Sequence, residues 1–428
     1  MAMSALKKNQ PCILIYGLAG SEPSKEIEVL LYAIKELGGT SVLVTERESD
    51  LGTLADYFYI NPSWDFEKLL QIARQHNTDL ALLGTDFASP LVGRLNDTLQ
   101  LPGPSEKQYD QISDKLNWTS TGQAYGLKFP KQAIVRSREE LLDLKWDFPF
   151  IVKPTKSTGN VDFFGIGYRY FNSTHDFIDF LESSGKADKF FAVSNHGGPL
   201  GRYMLQEQIH YKSWKGVYLT IVNGKVYRHE VGSNLFWPYP HKVNYYATYA
   251  PVQTTDLEKE HMDKVEKILT HDLKILNTSI NYDLITSHDD LCYSIDINPR
   301  CSGTFAIVSE DRQIPYFQQC ILAFLGQDFD FNFQLKPYLR RTLTFDPGFI
   351  RKITWPKEYF KNLRLLGEEK ALYGIHSPPY PGRFTFPLET IITGEDLESC
   401  FEVYKRFSDT LALTYEEKPR NNEEQFNE

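Results

Sequence analysis

The chain has 428 residues, 41% of them hydrophobic and 24% charged, with a formal net charge of −10. That length predicts two or three domains with several buried cores, and the acidic balance excludes a general binder of nucleic acid or of membrane surfaces. Five cysteines without a C-x-x-C pair exclude a disulfide framework or a cysteine zinc site and fit a reducing cytoplasm, no apolar run is long enough for a bilayer, and the N-terminus lacks the apolar core of a signal peptide.

Residues 12–100 alternate strands with helices. Cys12 to Tyr16 reads as a buried strand and Gly17-Leu18-Ala19-Gly20 as a loop; a helix capped at or near Ser24 runs to Leu37, where Gly38-Gly39 stops it. Ser41 to Thr45 is the next strand, Leu69 to His76 a helix, and Leu80 to Leu83 a strand. The pattern predicts an α/β domain with a parallel sheet over residues 1–110. The loop G-L-A-G-S lacks the G-x-G-x-x-G dinucleotide fingerprint, and a tight turn is its plain reading. Gly84-Thr85-Asp86 follows a strand at the end where open α/β sheets bind ligands, which makes it a candidate substrate contact.

Leu101-Pro102-Gly103-Pro104-Ser105 is a turn-rich boundary. Beyond it Ser113 or Asp114 caps a helix to about Tyr125, with Gly126 as its stop and Lys115 in its first turn. Pro149 to Pro154 is an apolar strand ending in Lys153, a cation that needs an anionic partner because unpaired burial of charge is costly. The small-residue loop T-K-S-T-G-N follows, whose Ser157 and Gly159 let backbone N–H groups approach phosphates. Tyr203 to Ile209 is a further strand. Val217 to Val222 and Lys225 to His229 form a hairpin around Asn223-Gly224. The aromatic stretch after it, with Arg228, His229, His241 and Lys242, offers candidate substrate contacts. Leu257 to Leu276 reads as an amphipathic helix.

Next comes N-Y-D-L-I-T-S-H-D-D-L-C-Y-S-I-D-I-N-P-R-C-S-G-T, Asn281 to Thr304. Ile280 to Thr286 and Leu291 to Ile297 are strand-like, and Ser287 to Asp290 is turn chemistry. Pro299 ends the second strand because it has no N–H for a ladder. Alternation puts Asp296 and Asn298 on one face. With Thr286 paired to Leu291, Asp283 lies opposite Ser294 and diagonal to Asp296, roughly 7–8 Å away between α-carbons. Asp and Asn are poor strand residues, and three on one face mark a site. Their oxygens suit Mg²⁺ carrying nucleotide phosphates, and Arg300 can brace phosphate or a developing anion. An ordinary hairpin with a solvated acidic face is the plainer alternative.

Asp296-Ile297-Asn298-Pro299-Arg300 resembles the E-x-N-P-R signature of the ATP-grasp superfamily of carboxylate–amine ligases, and the thirteen-position step from Asp283 matches the family's usual gap. The resemblance extends over roughly residues 10–330. It implies that Asp283, Asp296 and Asn298 hold Mg²⁺, with Mn²⁺ as an alternative, and that Asn298 and Arg300 serve catalysis, Arg300 at an acyl-phosphate transition state. It further implies that Lys115 and Lys153 reach the phosphates of ATP, that Ser157 and Gly159 belong to a phosphate lid, and that Glu207 and Ile209 flank adenine. Two departures stand out: the signature Glu is Asp296, and position 214 carries Trp near where the family has a ribose-binding Glu.

The fold expected is α/β and α+β: an ATP-grasp domain over 111–335, hinged near 207, after a Rossmann-like α/β domain, with a helix over 313–326 behind the site. A small C-terminal α+β domain over 336–415 holds short strands and a helix from Glu395 to Leu411, and 416–428 is expected to be a disordered tail. The resemblance implies a ligase joining a small-molecule carboxylate and amine at the expense of ATP, with a homodimer as the assembly considered. The alternatives are bicarbonate activation, as in carbamoyl-phosphate or biotin-dependent enzymes, and a nucleotide-binding scaffold without turnover.

Overall fold

The computed structural model describes residues 10–17, 23–156, 169–197, 201–236, 245–342, 348–354, 363–366, 376–377, 389–410 and 412–415. Ser157, Gly159, His241, Lys242, most of the G-L-A-G-S loop and the 416–428 tail lie outside them. The chain divides into two compact units: Met1–Gly232 with Val252–Gln334, and Ser233–Pro251 with Leu335–Glu428.

The first unit opens with β1 (Cys12–Tyr16), α1 (Pro23–Glu36), β2 (Thr40–Thr45), β3 (Tyr57–Ile60), α2 (Phe66–Gln75), β4 (Leu80–Leu83) and α3 (Ser89–Leu99). The strands pair in parallel in the order β3-β2-β1-β4. β1 is buried on both faces: Cys12, Leu14 and Tyr16 enter one core, Ile13 and Ile15 another. This is why it reads as a continuous apolar run. β1 connects toward β2 while β4 lies on its other side, so the C-terminal ends of β1 and β4 flank the topological switch point of the sheet.

α4 (Glu106–Ser113) and α5 (Lys115–Ala124) follow. Asp114 caps α5, accepting from the N–H groups of Leu116 and Asn117, and Gly126 beyond its end has φ 77°. The next layer has β5 (Gln132–Ala133), α6 (Arg138–Leu144), β6 (Phe150–Pro154), β7 (Arg169–Phe171), α7 (Thr174–Ser183), α8 (Ala187–His196) and β8 (Tyr203–Glu207). Its strands are antiparallel in the order β5-β8-β6-β7. Phe150, Val152 and Leu205 point into an aromatic core with Phe177 and Phe190. Alternation therefore turns Lys153, paired with Met204, to the opposite face.

β9 (Tyr211–Val222) and β10 (Lys225–Phe236) form the expected hairpin, with φ 51° at Asn223 and 76° at Gly224, the two positive values a type I′ turn requires. After β11 (Tyr245–Ala250), of the second unit, come α9 (Asp256–Lys267), β12 (Asn277–Ser287), β13 (Cys292–Asn298), α10 (Gly303–Asp311) and α11 (Tyr316–Phe324). Within the first unit the strand order is β13-β12-β9-β10. The expected helix to Leu276 stops sooner: α9 gives way to a π-helical turn, Ile268–Asp272, and β12 then begins. α10 was not anticipated; Ser302 caps it, accepting from the Thr304 N–H.

The second unit pairs the end of β10 with β11, and β11 with β14 (Tyr338–Thr342). This pairing takes Ser233–Pro251 into it, residues that the sequence reading places inside the 111–335 domain. It continues through β15 (Gly348–Thr354), β16 (Leu363–Leu366), β17 (His376–Ser377), β18 (Glu389–Thr393), α12 (Leu397–Thr410) and β19 (Ala412–Tyr415). β18 lies between β14 and β16, and β15 between β17 and β19.

Candidate active site

The β12–β13 register differs from the sequence expectation. Thr286 pairs with Cys292 and Leu284 with Ser294, and a bulge then skips Ile295, so Asp283 faces Asp296 directly and Asn281 faces Asn298. The extra residue converts a diagonal pair into an opposed one, α-carbons about 4.5–5.5 Å apart. β9 continues this face, with Gly216 opposite Asp283 and Trp214 opposite Ile285. Trp214 lies beside Asp283 and lowers the pKa of its carboxyl. The position singled out as lacking the ribose glutamate thus carries an indole next to one of the two acids.

Two lysines from different elements close on these acids. Lys115 is 4% exposed, and its Nζ lies 3.3 Å from Asp296 Oδ1. Its helix is fixed in its first turn: Trp118 Nε1 donates to Ser294 Oγ at 3.1 Å, and the Lys115 backbone N–H donates to the Thr155 carbonyl at 2.8 Å. Lys153, also buried, has its pKa pulled down to about 8 by burial, against the attraction of Asp296 and, more weakly, Asp283, with Lys115 lowering it further. Burial and the facing Asp296 push the Asp283 carboxyl up to about 8, with Trp214 and Lys153 opposing. The four groups share one electrostatic environment.

The acids also fit a divalent cation. Asn298 Oδ1 is buried with no hydrogen-bond partner among the described residues. It shares a face with the opposed carboxylates, a set of hard oxygen donors. No group of three His, Cys, Asp or Glu among the described residues could hold a metal by itself.

Arg300 leaves β13 just after Pro299. Its Nε lies 3.0 Å from Asp86 Oδ1, and its Nη1 donates to Glu26 Oε2 at 2.9 Å and to the Cys301 carbonyl at 2.9 Å. Asp86, expected as a substrate contact, is thus engaged by the guanidinium. Glu26 was missed; in the first turn of α1 it looks like an ordinary acid at a helix N-terminus. Burial raises the pKa of both acids, Glu26 to about 8, and Arg300 opposes the rise. Asp86 also feels Asp296 and Lys115, which ties the clamp to the β12–β13 cluster. A mainly apolar cavity of about 40 Å³ backs Glu26 and Arg300, room for a water or two but not for a substrate.

The other described candidates have partners of their own. Glu207 ends β8, and its carboxylate accepts from the Lys131 backbone N–H at 3.1 Å; Ile209 lies just beyond, half-buried. Arg228 and His229, expected as substrate contacts, are engaged by other side chains of the protein. Arg228 is ion-paired to Asp263 at 3.0 Å and Glu266 at 2.7 Å, and His229 is packed among Phe305, Tyr316 and Phe331 with its Nε2 2.9 Å from Thr220 Oγ1. Alternation along β10 sends these neighbours to opposite faces, one to α9 and one to the aromatic core.

No protein-family model matches the chain, and no curated protein matches it either. Solved structures do. The chain is similar to the L-amino acid ligase from Bacillus licheniformis, at 16% identity and TM-score 0.74 over 96% of this chain and 100% of that one. It is similar to phosphoribosylglycinamide synthetase from Anaerococcus prevotii, at 18% identity and TM-score 0.65 over 95% and 100%. N5-carboxyaminoimidazole ribonucleotide synthetase from Thermotoga maritima gives 16% and 0.65 over 95% and 100%. The parallel sheet, the antiparallel layers and these likenesses together give the chain the ATP-grasp fold.

Proposed function

We propose that the protein is an ATP-dependent carboxylate–amine ligase that forms an amide or peptide bond and releases ADP and phosphate. The observation that carries this reading is the convergence of Lys115, Lys153, Asp283, Asp296 and Arg300, two cations, two opposed acids and a clamped guanidinium, from four separate segments. Ordinary core packing gives no reason to bury them together. The likeness to ATP-grasp ligases supports the same reaction class.

Lys115 and Lys153 bind and orient the phosphates of ATP. Asp283, Asp296 and Asn298 hold Mg²⁺, which when bound neutralises phosphate charge. A carboxylate oxygen of the first substrate attacks the γ-phosphorus, the bond to the ADP oxygen breaks, and an acyl phosphate forms. The amine nitrogen of the second substrate then attacks the acyl carbon, phosphate leaves, and the nitrogen loses a proton. Arg300 faces the anionic charge that develops in these steps, where a preorganised donor has its largest effect. Ser157, Gly159, Glu207 and Ile209 complete the nucleotide site in this reading. No helix among the described residues is long and apolar enough to cross a membrane, and five buried cysteines outside any disulfide support a cytoplasmic setting.

The test supplies MgATP, a pool of L-amino acids and simple carboxylic acids, and hydroxylamine as the amine. Hydroxylamine converts an acyl phosphate into a hydroxamate and phosphate. Carboxylate-dependent hydroxamate with stoichiometric ADP is expected. MgATP binding without hydroxamate from any carboxylate would favour a scaffold and sink the ligase reading.

A further inference from the structure

Arg300 stands just outside β13, where no sheet neighbour fixes it, yet its guanidinium has three anchors. Asp86 meets Nε, while Glu26 and the Cys301 carbonyl meet Nη1. The two acids come from different elements: Glu26 from the first turn of α1, after β1, and Asp86 from the segment after β4. They flank the switch point of the parallel sheet. Their side chains are 3% and 1% exposed, whereas Arg300 retains 16%.

One carboxylate would neutralise a guanidinium. Burying a second beside it is destabilising unless the arrangement serves another end. A cation held by an ion pair at Nε and hydrogen bonds at Nη1, from different elements, is restricted in where it can point. Nη2 makes no protein hydrogen bond among the described residues. The anchors thus leave Nη2 for substrate.

We infer that Glu26 and Asp86 are positioning residues that set the orientation of Arg300 for the transfer step, so the α/β layer takes part in the chemistry of the ATP-grasp site. This rests on the ligase reading above. Glu26, which accepts the hydrogen bond from Nη1, acts through its acceptor position, and Asp86 acts as the ion-paired counter-charge beside Nε.

The experiment compares Glu26→Gln, which keeps an acceptor at the same reach, with Glu26→Asp, which retracts the anchor by one methylene. The readouts are hydroxamate kcat, KM for ATP and melting temperature. Positioning predicts Glu26→Gln within about threefold of the parental kcat and Glu26→Asp lower by about 10–100-fold, with KM for ATP unchanged in both. Asp86→Glu, which displaces the ion-paired carboxylate, replaces Glu26→Asp if that variant does not fold, and it should show the same loss of kcat. A displaced-anchor variant that turns over at the parental rate, or a Glu26→Gln that falls as far as Glu26→Asp, overturns the inference while leaving the ligase reading intact. A parental protein that makes no hydroxamate overturns that reading, and the positioning role with it.

Discussion

Replacing Lys153 by methionine separates binding from stability. The side chain is 4% exposed on a strand buried throughout. Its pKa is lowered from 10.5 to about 8, mainly by burial, and the attraction of Asp296 and Asp283 is already included in that value. At ~1.36 kcal/mol per pH unit, holding the ammonium charged at pH 7 costs the fold about 3 kcal/mol. The cost applies in full below pH 8. Between pH 8 and 10.5 it is relieved, because the folded chain gives up its proton while the unfolded chain keeps it. Lys153→Met fills similar volume without the charge, so it should melt at or above the parental temperature at pH 7, with a gain that shrinks as pH rises toward 10.5. MgATP binding should weaken by about 1.5–3 kcal/mol, roughly 10–150-fold in Kd, the worth of a hydrogen bond to a charged group. Calorimetric titration with MgATP and melting curves across pH measure the two effects. A variant that binds MgATP like the parent refutes the phosphate assignment. One that binds normally and melts several degrees lower would mark Lys153 as structural.

Three further outcomes are expected. Asp296→Asn should remove the Mg²⁺-dependent part of ATP affinity and leave metal-free binding nearly unchanged, so titrations with and without Mg²⁺ that still differ as in the parent would count against the metal site. Arg300→Lys should bind MgATP normally but lose about 10²–10³ in hydroxamate turnover, because an ammonium cannot reproduce the fork held by Asp86 and Glu26; parental turnover would exclude a transition-state role. Burial lowers the pKa of His229 and His261 to about 4 in each case, with Lys264 also acting on His261. Their contribution to stability is therefore present above pH 6.5 and lost as pH falls from 6.5 toward 4, by up to ~1.4 kcal/mol per pH unit for each. Urea unfolding at graded pH should show this slope, and His229→Phe should reduce it; a variant with the parental slope would show that His229 does not titrate on unfolding.

The local chemistry was legible in the sequence because short-range rules govern it. An all-apolar run dictated β1, Asn-Gly dictated the β9–β10 turn, Asp114 and Gly126 bounded α5, and Pro299 ended β13. Lys153 betrayed itself as a charge on an apolar strand, and Asp283, Asp296 and Asn298 as poor strand formers on one face. Where those side chains meet was decided by long-range contacts that leave no periodic mark. A one-residue bulge at Ile295 turned a diagonal pair of acids into an opposed one, since a single inserted residue shifts every partner beyond it. Arg228 and His229 differ only in strand parity, and the elements packed on each face of β10 made one an ion-pair partner of α9 and the other a core histidine. Glu26 carried no signal at all: an acid in a helix's first turn is unremarkable until the fold brings Arg300, 274 positions along the chain, against it.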